Sequence, residues 1–132
     1  MVVMTILMSV CSVSCSSSDD DEKSAESASI VGTWTCPIER YFADSEVIEF
    51  KSDGTFMETL YDKTTAVFQE KGTYVYAKGK LSLKREGKRE VMDNGLWSSW
   101  EKSEDTAVYE VTISGNKLTL SDNGYVLVLD RK

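Results

Sequence analysis

The chain has 132 residues, 41% of them hydrophobic and 28% charged, and a net charge of −7. That size and balance suit one globular domain with one modest core, and the absence of a concentrated basic face argues against a nucleic-acid partner. There is no histidine, which removes the usual general base, the usual zinc ligand and every Ser-His-Asp or Cys-His arrangement.

Residues 1–14, "MVVMTILMSVCSVS", are apolar and then small. The run is too short to span a bilayer as a helix, and it ends as a secretory apolar region and cleavage site should. No Lys or Arg precedes Lys23, so a start further upstream is expected. Ser12-Val13-Ser14-Cys15 resembles the lipobox of bacterial lipoproteins. That likeness implies that residues 1–14 are a lipoprotein signal peptide and that Cys15 becomes a lipid-modified first residue. Cys11 fits less well, because bulky Val10 precedes it.

Residues 15–29 hold the lipidated cysteine and then "SSSDDDEKSAESAS", with too little apolar surface to fold. They read as a flexible acidic and serine-rich tether. Serines and acids directly after the cysteine are similar to the surface-export signal of Bacteroidetes lipoproteins. The resemblance implies a protein anchored by lipid to the outer membrane and exposed at the cell surface.

From Ile30 to Lys132 the hydrophobic period is two, with turn signals every eight to twelve residues, the pattern of an all-β sandwich or barrel. Strands are predicted at about 31–36, 45–51, 55–62, 71–77, 80–86, 106–114, 117–121 and 125–130, an antiparallel up-and-down meander of about eight strands. In "IEFKSDGTFMETL", a two-residue turn would set Glu49 opposite Glu58, an unfavourable like-charge pair. A three-residue loop, Ser52 to Gly54, sets Phe50 opposite Phe56 instead and is preferred. Two-residue turns at Lys78-Gly79 and Gly115-Asn116 pair Tyr76 with Leu81, Tyr74 with Leu83, Ile113 with Leu118 and Val111 with Leu120. The cluster "KREGKRE" at 84–90 mixes both signs and reads as a solvated strand end and loop.

Gly32-Thr33-Trp34 at the first strand resembles the G-x-W of lipocalin-like barrels, as do "FKSDGTF", "GTY", "LSL", "YEV…LTL" and a last strand ending in Arg131. The whole of residues 30–132 resembles the small lipocalin-like domains of Bacteroidetes lipoproteins. The resemblance implies a β-barrel whose floor is plugged by Trp34 with Arg131 packed across it, a structural role.

The inward positions Phe50, Phe56, Leu60, Tyr74, Tyr76 and Tyr109 are bulky, so they either fill the core or line a pocket. Glu58 falls on the same face. Buried, it would orient a polar ligand group with a raised pKa; at the barrel rim it would stay in water, and the rim is the preferred reading. Trp97 and Trp100 stand three residues apart in the polar stretch 92–106, outside any predicted strand. They serve either as contacts for a ligand, glycan or protein partner beside a barrel mouth or as a lid on the core, Trp97 the more buried. Cys36, before Pro37, reads as a small buried hydrophobe, and no CxxC pair or carboxylate pair supports a metal, a cofactor or an enzyme.

The functional expectation is a non-enzymatic, lipid-anchored cell-envelope protein that binds a small apolar or amphipathic ligand in the barrel interior. Its ligand-binding residues would be Phe50, Phe56, Glu58, Tyr74, Tyr76, Trp97, Trp100 and Tyr109, with the 92–106 loop as gate. The alternative is a protein–protein or glycan-interaction accessory with a filled barrel and a working surface around Trp97 and Trp100.

Overall fold

Three tight turns set the register of the sheet. Lys51 N–H bonds to Thr55 C=O at 2.9 Å around the Ser52–Gly54 loop, with Gly54 at φ +90°, and Phe50 pairs with Phe56. Ala77 pairs with Lys80 across Lys78-Gly79, and Ser114 pairs with Lys117 across Gly115-Asn116. The predicted facing pairs follow in both hairpins, Tyr76 with Leu81 and Ile113 with Leu118 among them.

The computed structural model describes residues 30–132, and the expectations for the signal segment, Cys15 and the tether lie outside the described residues. The strands are β1 Gly32–Arg40, β2 Ala43–Phe50, β3 Thr55–Asp62, β4 Thr65–Ala77, β5 Lys80–Glu90, β6 Glu101–Lys102, β7 Thr106–Ser114, β8 Lys117–Asp122 and β9 Tyr125–Arg131. Every neighbour pair is antiparallel, in the order β4-β3-β2-β1-β9-β8-β7-β5, and a further β4–β5 pairing closes the ring into an eight-stranded barrel. The two-residue β6 continues along β5 beyond the end of β7.

One end of the barrel is solid. Trp34 is fully buried and its indole N–H donates to Ile30 C=O at 2.9 Å. The Arg131 guanidinium lies 4.1 Å over the Trp34 ring and donates to Val31 C=O at 3.1 Å. Gly32 is required beneath it, because a Cβ there would stand 2.7 Å from Arg131 Nη1 on a backbone at φ +137°. Above this floor Phe50 packs edge-on against Tyr74, with ring centroids 5.0 Å apart, and Phe56, Tyr76, Leu81, Leu118 and Leu129 complete the core.

Three strands run further than their sequence pattern. β1 continues to Arg40 through Pro37, which pairs with Ser45. Beyond Thr35, β1 no longer pairs with β9: the ladder between them consists of Trp34↔Arg131 and Thr35↔Asp130, continued by a Lys132 N–H bond to Thr33 C=O at 2.8 Å. A proline is tolerated there because that stretch is a sheet edge.

β4 and β5 extend together, to Thr65 and Glu90, past a bulge. Gly72 pairs with Arg85 and Lys71 with Gly87, which leaves Glu86 as the extra residue. A Cβ on Gly72 would sit 1.9 Å from Lys84 C=O, so only glycine admits this approach. The bulge reverses the inward parity of β5, which is why the alternation fades at residue 86.

Candidate functional site

Toward the other end the inward alternation continues with charged residues. On β2 the inward series Phe50, Ile48 reaches Glu46; on β3 Phe56 is followed by Glu58; on β5 Leu81 and Leu83 are followed by Arg85. Glu46 and Glu58 keep only 6% and 9% of their surface exposed. Glu58 therefore lies in the interior, not in water at the rim. Arg85 is likewise turned inward, its side chain 17% exposed, and so departs from the solvated reading of the 84–90 cluster, whose Lys84, Glu86, Lys88 and Glu90 are exposed.

These groups open onto a cavity of about 290 Å³ in the open half of the barrel. Ile48, Leu83, Leu120 and Leu127 form its apolar wall, and Glu46, Glu58, Arg85 and Tyr109 its polar wall, with Arg40 and Tyr125 near the outlet. Arg40 and Tyr125 come from β1 and β9 on the side where those strands have stopped pairing.

The electrostatics follow from burial. Glu58 sits directly across from Glu70 on β4, a like-charge pair that is unfavourable alone. Arg85 bridges the two, with Nε donating to Glu70 at 3.1 Å and Nη2 3.8 Å from Glu58. Arg85 also hydrogen-bonds Tyr109. Burial first, and then the charge of Glu46, push the Glu58 carboxyl up to about 8 against the pull of Arg85. Burial raises Glu46 as well, opposed by Arg40 and by a hydrogen bond to Glu58. Burial and mutual repulsion therefore favour the form in which these two joined carboxyls keep one proton between them. The buried Cys36 thiol is pushed up to about 12 by its own burial and then by Glu46 and Glu58, and stays neutral.

Of the residues proposed from sequence as ligand contacts, the structure brings Glu58 and Tyr109 together at the cavity. Phe50, Phe56, Tyr74 and Tyr76 lie apart from it, in the packed core. The Tyr74 hydroxyl donates to Lys51 C=O at 2.7 Å, so its polar end is already satisfied by the protein. Trp34 and Arg131 are the stacked pair at the floor.

Trp97 and Trp100 do not line this cavity, and neither does any other residue of the 92–106 stretch. It runs back along β5: Val91 bridges Trp97, Ser98 N–H bonds to Glu90 C=O at 2.8 Å, and Arg85 N–H bonds to Asp105 C=O at 2.8 Å. Both indoles lie half-buried on the outer face of the β4–β5 extension. Arg89 Cζ stands 4.6 Å from the Trp97 ring and 4.5 Å from the Trp100 ring, and Lys71 Nζ is 4.2 Å from Trp100. Trp100 lies over Gly87, where a Cβ would meet the ring at 3.4 Å. A wider depression beside Phe68, Lys88 and Met92 is lined by half-buried and exposed residues alone.

No protein-family model matches the chain, and no curated protein matches it. Among solved structures, it is similar to a lipocalin-like protein from Bacteroides thetaiotaomicron, with a TM-score of 0.52 and 16% sequence identity, over 78% of this chain and 96% of that one. What the likeness carries is the fold: this chain forms a closed, antiparallel, lipocalin-like β-barrel.

Proposed function

We propose that the barrel is a non-catalytic binding module that takes up one small amphipathic molecule in the cavity at its open half. The observation that carries this reading is that Glu46 and Glu58, both more than nine-tenths buried, face unfilled space instead of packed side chains. A core shaped for stability alone gains nothing from two buried acids in contact, which cost several kcal/mol of desolvation and repulsion. A site for a polar group gains a preorganised, desolvated partner.

The volume is at the low end of the roughly 300–1,000 Å³ typical of small-molecule sites, so the ligand is compact. Its polar end meets the acids, Arg85 and Tyr109, and its apolar part lies along Ile48, Leu120 and Leu127. The expected Phe and Tyr walls are replaced by this mixed one. A working surface at Trp97 and Trp100 has less support, because cations of the protein itself already cover both rings.

The reading includes a lipid anchor on Cys15 that holds the module at the outer membrane, supported by the lipobox-like Ser12–Cys15 and the tether that follows. Native mass spectrometry of the protein from its host's envelope extract should show a co-purifying small molecule. Leu120→Trp, which fills the cavity, should abolish it. No adduct, or one indifferent to Leu120→Trp, overturns the binding role. Cys15→Ala should move the protein out of the membrane fraction, and unchanged fractionation refutes the anchor.

A further inference from the structure

We propose that the polar end of the ligand is a protonated amine, which displaces the proton shared by Glu46 and Glu58 and releases it to solvent. This rests on the binding reading above and adds to it the charge of the ligand.

The argument begins with what surrounds the pair. Facing Glu58 are Glu46 on β2, Glu70 on β4, Arg85 on β5 and Tyr109 on β7, with Cys36 and Arg40 on β1 and Tyr125 on β9 completing the surround. Arg85 is committed elsewhere. Its Nε donates to Glu70 at 3.1 Å, it also bonds Tyr109, and it approaches Glu58 only to 3.8 Å.

Arg40 is exposed at the outlet, where water and salt screen its charge. Among the described residues Glu46 has no ion pair, and its carboxyl meets that of Glu58. Three carboxyls against two guanidiniums leave one negative charge in excess, and the shared proton supplies its only internal compensation.

Each ligand charge has a different consequence. An anion would face two acids with Arg85 already taken, so it is repelled. A neutral molecule leaves the proton where it is. An ammonium offers three donors to the two carboxyls, in charge-assisted hydrogen bonds of about 2.8 Å. The balance is simple: the pair goes from one proton and charge −1 to no proton and charge −2, the amine brings +1, and one proton leaves. The apolar wall then accepts a short hydrocarbon stem.

Isothermal titration calorimetry of the full chain with 2-phenylethylamine tests this, in buffers of differing ionisation enthalpy. About one proton should be released per amine near neutral pH, because the pair holds its proton up to about 8. Affinity should rise about tenfold per pH unit from roughly pH 5.5 to 7.5 and level off above about 8.

Glu58→Gln keeps the shape but removes one acid. It should end the proton release and weaken the amine at least tenfold, and Glu46→Gln provides the same comparison if that variant does not fold. Two isosteres separate the claims. If 2-phenylethanol or 3-phenylpropanoate binds as tightly as the amine, or if the amine binds without proton release, the charge assignment is wrong and the binding role stands. If none of the three binds, the amine proposal is overturned, and the co-purification experiment decides the binding role separately.

Discussion

Glu58→Gln should make the barrel more stable at pH 8 than the parent, and no more stable at pH 5. In the unfolded chain this carboxyl ionises near its ordinary 4.5, whereas in the folded barrel it holds its proton up to about 8. Between those values the native state binds a proton that the unfolded state has lost. Its stabilising contribution is therefore complete below about pH 4.5, declines as pH rises, and is gone above about 8.

Each pH unit in that window is worth about 1.4 kcal/mol. From pH 5 to 8 the parent should lose up to about 4 kcal/mol, an upper bound because water entering the cavity relaxes the burial. Glu46 shares the same proton, so its raised value does not double the effect. Urea denaturation followed by tryptophan fluorescence reads this directly. With a slope of about 1–3 kcal/mol per molar for a small protein, the parental midpoint should fall by up to about 1.3 M at the steepest slope, and by up to about 4 M at the shallowest. Glu58→Gln, a permanent mimic of the protonated acid, should remove most of that slope. Exposed carboxyls titrate alike in both proteins and cancel in the difference. A parent whose midpoint does not fall over this range, or a variant that keeps the whole slope, would refute the buried-proton argument.

Other substitutions probe the frame. Gly72→Ala forces a Cβ to 1.9 Å from the Lys84 carbonyl, so the bulge must open and stability should drop by about 3 kcal/mol or more in the same denaturation assay. Arg131→Ala loses the stacking on Trp34 and the bond to Val31, at a cost of about 1–3 kcal/mol. Amine affinity should be unchanged, because the floor and the cavity are at different levels of the barrel. Trp100→Ala uncovers Gly87 and Arg89 and should speed hydrogen exchange at Ser98 and Ser103, whose amides bond to β5. Unchanged exchange there would show that the indole does not hold the 97–105 segment.

What could be read from the sequence was whatever rests on local hairpin physics. The like-charge argument chose the Ser52–Gly54 loop, and Phe50 does face Phe56. That same argument fails one strand further on, where Glu58 faces Glu70, because Arg85 from a third strand lies across both. No pairwise rule contains a third strand. Glu46 and Arg85 carried a usable signal all the same: each continues an inward alternation past its last apolar residue, Glu46 before Ile48 and Arg85 after Leu83. At Arg85 charge suggested a solvated strand end when it marked the polar wall of a cavity, and Glu46, inside its predicted strand, belongs to the same wall. The long β4–β5 hairpin was hidden for another reason. Its bulge at Glu86 shifts the phase, so residues beyond it fall on the face opposite to the one the earlier alternation predicts. Trp97 and Trp100 stood out as isolated aromatics, but the cations that cover them come from β4 and β5, far away in sequence.

The short junction between β1 and β9 has a bearing on how the barrel assembles. Every other strand pair in the ring joins neighbours or near neighbours in the chain, so the meander from β2 to β9 can grow one hairpin at a time. The last joint brings together segments 100 residues apart, as Val31 and Arg131 are, and it has two ladder pairs and the Lys132–Thr33 backbone bond to offset that loop-closure entropy. The remainder comes from side chains, chiefly the Trp34–Arg131 stack and the apolar plug beneath it. Circularity in this fold is thus the final and least hydrogen-bonded event. Until the stack forms, the folding chain is an otherwise well-formed sheet with two free edges.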